Sequence, residues 1–168
     1  AIAAEAAANA APDGYTLFMG TNSVFAVNPH LYEIRYDPFA FVPISQVVVA
    51  QNMLVVRPSL PIHNVAELVA YAKANPGKLS YGSSGTGSMM HLSGELFQRA
   101  TGTNLVHVPY KGGQPARMDM LGGNLDVLFG DLGSIPFVKD GKLRALAVTG
   151  PAREQAVPEI PTLQEAGI

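Results

Sequence analysis

The sequence contains no cysteine and no tryptophan. That excludes a disulfide framework, a cysteine-based zinc site and a thiol nucleophile, and leaves the compartment open. Charge is sparse: 14% of residues are charged, 11 basic against 13 acidic, for a net charge of −2. With no basic run or stripe, the chain is not built to neutralise a phosphate backbone, and no nucleic-acid partner is expected. No apolar run reaches the roughly 18–20 residues that a membrane span needs. The opening AIAAEAAANA carries Glu5 and Asn9 and has no basic residue before them. That is wrong for a secretory h-region and right for a helix.

What is there is a chain of 168 residues, 48% hydrophobic, enough to bury a sizeable core as one compact unit with pieces of a second. It opens inside a helix-like stretch and stops at PTLQEAGI, which also reads as helix. Both ends therefore look cut, and the chain reads as a piece of a longer protein.

Pro12-Asp13-Gly14 signals a turn, and Tyr15 to Gly20 reads as a short buried strand. Pro29, Pro38 and Pro43 break up the following stretch, and regular patterning begins at Ser45 with SQVVVAQNMLVV. A helix then starts at Asn64, with Glu67 three residues on completing a capping-box pair. Val65, Leu68, Val69 and Ala72 form its apolar stripe. Further along, strands are expected at 79–82, 105–108, 126–129 and 143–149, and helices at 88–100 and 114–121, with a helical turn at 133–139. This alternation predicts an α/β fold, a parallel or mixed sheet with helices on both faces. Ligands of such sheets gather at the carboxyl ends of strands. That rule singles out 20–23, 82–88, 109–113 and 130–134.

The most informative string is YGSSGTGSMMHLSGEL, 81–96. A strand runs into GSSGTGS and a helix follows at once. Glycines let several N–H groups converge, while Ser83, Ser84, Thr86 and Ser88 add hydroxyls. The helix N-terminus brings unpaired N–H groups and about half a positive charge. The pattern predicts an anion site whose N–H groups at 84–88 point to one spot; the plainer reading is a tight turn with Ser88 as the N-cap. Spelling excludes three alternatives. Gly87, not Lys, precedes Ser88, so this is no P-loop. Met90 stands where a dinucleotide fingerprint needs its third glycine. Thr86 stands where a nucleophile elbow needs glycine.

His91 and Glu95, four apart, offer two metal ligands at most, and an ordinary helix pair is the simpler reading. Ser84 or Ser88 with His91 offers a serine-type enzyme as the alternative function, against a histidine packed behind the loop. Lys111, in HVPYKGG, either steadies an anion or is solvated. Asp131, in FGDLGS, accepts from a ligand amine or water, or caps the turn that follows it. Asn22 has the same two readings. No carboxylate pair stands at a spacing for acid–base work.

PDGYTL (12–17), YDPFAFVPI (36–44), LVVRPSLPIHNVAEL (54–68), YGSSGTGSMMHLSGEL (81–96), HVPYKGG (107–113) and EIPTLQEAG (159–167) together resemble the Bug family, the extracytoplasmic solute receptors of tripartite tricarboxylate transporters. The resemblance runs through essentially the whole chain. It implies a periplasmic-binding-protein type II-like lobe, a mixed, mostly parallel sheet flanked by helices on both faces. Residues 45–148 would be a nearly complete second lobe. Residues 1–44 would be a remnant of the first lobe, and 149–168 the return into the hinge and first lobe.

The implied function is capture of a small carboxylate (dicarboxylate, acidic amino acid or aromatic acid) in the periplasm, without catalysis, metal or cofactor. Ser83, Ser84, Gly85, Thr86, Gly87 and Ser88 would hold the carboxylate, with Asp131 across the cleft and Asn22 from the first lobe. The membrane components of the transporter would be the partners. Relative to the family pattern, an N-terminal glycine-rich loop is absent and the chain is one residue short near Phe39-Ala40-Phe41. A strand at 15–20 without its sheet neighbours would expose an edge, so self-association through 1–30 is expected.

Overall fold

The computed structural model describes residues 2–168. Ala1, with which the expected opening helix begins, lies outside the described residues. The chain divides into two compact units, Ala1–Val49 and Ala50–Ile168.

The first unit holds α1 (Ile2–Ala8), a π-helical turn at Ser23–Val27, and α2 (Asn28–Leu31). Phe18, Phe25, Phe41 and Tyr36 form an aromatic cluster with ring centroids 5.5–6.2 Å apart. The Tyr36 hydroxyl donates to the Val24 carbonyl at 2.8 Å. The buried strand expected at 15–20 does not form. The segment is irregular, and Tyr15, Leu17 and Met19 all face solvent. A strand needs a neighbour to bond, and this segment pairs with none among the described residues.

In the second unit, β1 (Met53–Val56), β2 (Ser80–Ser83), β3 (Val106–Pro109), β4 (Val127–Gly130) and β5 (Arg144–Val148) form one sheet in the order β3-β2-β4-β1-β5. β2 pairs parallel with β3 and β4, whereas β1 pairs antiparallel with β4 and β5. Four strands thus share one direction and β1 alone runs against them. This is the mixed α/β sheet the alternation predicts.

Side chains alternate across the sheet with period two. Leu54, Val56, Tyr81, Val127 and Phe129 face α3 (Val65–Ala74) and α4 (Met89–Thr101), packing on Leu68, Ala72 and Phe97. Met53, Val55, Leu128 and Val148 face the other way, toward Ala116 and Met120 of α5 (Gly113–Leu121). Ile135 and Phe137 of α6 (Ile135–Lys139) join that side. Gly94 lets α4 lie flat on the sheet, because a Cβ there would come within 2.3 Å of the Tyr81 ring.

Asn64 caps α3, but the Glu67 side chain reaches back one residue further than in a standard capping box, to His63. The Glu67 amide donates to Asn64 Oδ1 at 2.8 Å, and Glu67 Oε2 accepts from the His63 amide at 2.6 Å. The helix expected in PTLQEAGI is a single capped turn instead. Thr162 and Glu165 bond reciprocally, the Thr162 amide to Oε2 at 2.7 Å and the Glu165 amide to Oγ1 at 3.0 Å. Gly167, at φ +86, ends it after one turn. Thr162 also bridges to Val148 as a parallel partner.

Candidate functional site

The chain leaves β2 through α4 to β3 on one side, then returns through α5 to β4 on the other side of β2. The order therefore reverses between β2 and β4, and the loops leaving their carboxyl ends, 84–88 and 131–134, flank the switch point. This is where open α/β sheets hold ligands.

The loop after β2 is tied down by its own hydrogen bonds. Ser83, fully buried, accepts the Gly85 amide on Oγ at 3.1 Å and bonds His107 Nε2 at 2.7 Å. The Gly87 amide donates to His91 Nδ1 at 3.2 Å, and the Ser88 amide to the Gly85 carbonyl at 3.1 Å. Gly85 and Gly87 sit at φ +123 and +80, a left-handed region that favours glycine and lets the chain double back on either side of Thr86. Ser88 then caps α4, its Oγ accepting the His91 amide at 3.3 Å. The expected convergence of every N–H at 84–88 on one outside point is thus not met. The amides of Gly85, Gly87 and Ser88 serve the loop itself. Ser84 is half-buried and Thr86 exposed.

His107 is the residue that sequence reasoning missed, and nothing in HVPYKGG marks it as a partner of Ser83. Only the parallel pairing of β2 with β3, which sets Ser83 opposite Pro109, brings the two strands together. His107 is stacked on Tyr81 (centroids 4.9 Å apart) and in tilted contact with His91 (4.2 Å). Burial, then the neighbouring His91, hold the His107 pKa below its ordinary value, against the pull of Glu95. The Tyr81 hydroxyl donates to Glu95, and burial first, then that bond, raise the Tyr81 pKa.

Asp131 is half-exposed. Its Oδ1 accepts from the Gly133 amide at 2.9 Å and from Arg117 at 2.7 Å. Arg117 in turn lies over the Phe137 ring at 5.7 Å. Oδ2 points toward Gly113, where a Cβ would sit 3.1 Å from it. Asp131 is therefore both the cap of the turn and a carboxylate whose charge Arg117 offsets. Lys111 is exposed. Tyr110, beside it, packs inward with its hydroxyl bonded to Asp119; burial and that bond push the Tyr110 pKa up to about 12. Asn22 belongs to the first unit, at the N-terminal end of the turn Ser23–Val27, and its exposed side chain makes no cap bond.

The serine-enzyme arrangement has no geometric basis here. Ser88 Oγ bonds the backbone of His91, not its ring. The His91 ring spends Nδ1 on Gly87, and its Nε2 faces Glu95 Oε1 at 3.9 Å. Ser83 does bond a histidine, but it is sealed in the core. Among the described residues no three His, Cys, Asp or Glu side chains gather as a metal site.

The full chain, residues 1–168, matches the model of the tripartite tricarboxylate transporter family receptor. The chain belongs to this receptor family. BugT of Bordetella pertussis is 36% identical over 176 residues, 99% of this chain and 52% of the relative. A UPF0065 protein of Cupriavidus necator, from the gbd 5' region, is 38% identical over 159 residues, 94% of this chain and 48% of the relative. The chain thus spans about half the length of the curated relatives it matches.

Among solved structures, one titled a periplasmic transporter superposes with a TM-score of 0.89 at 44% identity, covering 99% of this chain and 57% of that one. Rpa4515 of R. palustris, solved with adipate, gives 0.88 at 39% with the same coverage. MatC of Rhodopseudomonas palustris, solved with bound malate, gives 0.83 at 26%, also over 99% and 57%. The family is one of solute-binding receptors rather than enzymes, and the sheet found here is the binding-protein fold of these neighbours.

Proposed function

We propose that this chain is a ligand-holding portion of a periplasmic solute receptor. It captures a small carboxylate (dicarboxylate, acidic amino acid or aromatic acid) and releases it unchanged to the membrane components of a tripartite tricarboxylate transporter. One observation carries the reading. A serine- and glycine-rich loop that caps a 13-residue helix stands at the sheet's switch point, opposite Asp131. The adipate and malate named with two structural neighbours are both dicarboxylates, in keeping with it.

Within the loop the residues divide the work. Ser83, Gly85, Gly87 and Ser88 give the loop its shape, while Ser84 and Thr86 present hydroxyls to the carboxylate. The N-terminal end of α4 supplies the partial positive charge in place of a basic side chain. Asp131, its charge offset by Arg117, receives a ligand amine or an ordered water.

A thermal-shift screen with adipate, malate, succinate, aspartate and benzoate tests this. At 100 times its dissociation constant a ligand stabilises by about 2.7 kcal/mol. Loss of one ligand hydrogen bond in Ser84→Ala weakens binding about three- to tenfold, and the acid is recovered unchanged. Unaltered affinity in a folded Ser84→Ala variant would place the carboxylate elsewhere, and turnover of the acid would contradict a receptor.

A further inference from the structure

We infer that His91 and His107 are positioning residues that set the shape of the carboxylate loop, each through one particular ring nitrogen. The two rings are in tilted contact with centroids 4.2 Å apart, and they hold the loop at two points on either side of Thr86. At the first point the Gly85 amide donates to Ser83 Oγ, and Ser83 bonds His107 Nε2 at 2.7 Å. At the second the Gly87 amide donates to His91 Nδ1 at 3.2 Å.

The chemistry fixes which nitrogen does what. An amide N–H only donates, so His91 Nδ1 must offer its lone pair, and the ring proton sits on Nε2. The opposite side of the ring agrees, because Nε2 faces the Glu95 carboxylate at 3.9 Å. Glu95 is held there by the Tyr81 hydroxyl. For His107, Ser83 Oγ already receives the Gly85 amide, so its own proton is best used on Nε2, leaving the His107 proton on Nδ1. The titratable groups facing this pair are Tyr81 from β2 and Glu95 from α4. A neutral pair with opposite tautomers satisfies every one of these contacts, whereas a proton on His91 Nδ1 would set two donors against each other at Gly87.

A purely space-filling pair of rings would be indifferent to which nitrogen is kept. Positioning residues would not be. Asparagine offers its carbonyl oxygen near where Nδ1 stands, and glutamine reaches about as far as Nε2. The inference rests on the carboxylate reading above, but its first readout needs no ligand. In the 168-residue chain, long-range proton–nitrogen spectra of the imidazoles should show His91 protonated on Nε2 and His107 on Nδ1. In amide spectra, His91→Asn and His107→Gln should keep the Gly85 and Gly87 signals near their wild-type positions, and His91→Gln and His107→Asn should displace them. Adipate titrations should follow the same split, within about threefold of wild type for the first pair and about tenfold weaker for the second.

The opposite tautomer on either ring, which is read without any variant, overturns the inference. So do four variants with the same amide spectrum and the same affinity. If the amide pattern obeys the split while adipate perturbs no signal between 83 and 88, the carboxylate reading is what fails. The histidines would then shape a loop with some other use.

Discussion

His107 lies against both Tyr81 and His91, where a positive charge on its ring is disfavoured. Its pKa is lowered by burial first and by His91 second, so the folded chain takes up this proton at lower pH than the unfolded chain does. The stability it contributes is therefore fully present above about pH 6.5, the ordinary histidine value, and is lost as pH falls from there through the folded value. Urea unfolding at pH 7 and pH 5 should show a smaller acid loss for His107→Gln than for wild type. Equal losses would mean the ring titrates as if unburied. Asp126 makes a different case. Its Oδ1 takes the Arg57 Nε at 2.7 Å and its Oδ2 takes the Ser80 amide at 2.8 Å and hydroxyl at 2.9 Å. Asp126→Ala strands all three donors, and urea titration should register a loss of about 2–4 kcal/mol. At this scale the sequence was legible where one residue acts on its near neighbours, as Ser88 does on His91. It was silent where a bond spans two strands, as from Ser83 to His107 or Asp126 to Arg57.

The elements were legible where start and stop signals are local. Asn64 and Glu67 announced α3, and Ser88 and Gly102, the latter at φ 65, bracketed α4. The strands at 80–83, 106–109, 127–130 and 144–148 lie within a residue or so of their expected places, each following a helix with its terminator or turn signal. What failed were elements whose existence depends on a partner. Residues 15–20, read as a buried strand, pair with nothing among the described residues, and PTLQEAGI closes as one turn under Thr162 and Glu165. Two substitutions check the local logic. Asn64→Ala removes the acceptor for the Glu67 amide and should cost α3, and the unit with it, about 1 kcal/mol in urea unfolding. Gly94→Ala places a methyl within 2.3 Å of the Tyr81 ring, and overpacking there should cost about 1–3 kcal/mol. A neutral Gly94→Ala would mean that α4 lifts from the sheet freely.

On the scale of the whole molecule, the two units differ in how well they bury their apolar residues. In the second, β1, β2 and β4 are sealed between two helical layers. In the first, Tyr15, Leu17, Met19, Val42, Ile44, Val47, Val48 and Val49 each remain more than 70% exposed. Scattered exposed apolar residues are ordinary, but a run of this kind favours association. Sedimentation of the 168-residue chain should show concentration-dependent self-association, and Leu17→Lys with Val48→Lys should shift it toward monomer. A monomer at every concentration would count against this.

Whether a carboxylate rests on the loop between β2 and α4 is read most plainly from a crystal structure of the chain with adipate. One carboxylate group of adipate should lie within hydrogen-bond distance of Ser84 and Thr86 at the N-terminal end of α4, with Asp131 facing it and His91 still bonded to the Gly87 amide. Adipate ordered instead in the 490 Å³ apolar groove between Leu96, Ala100, Pro151 and Leu163, with 84–88 bare, would contradict it.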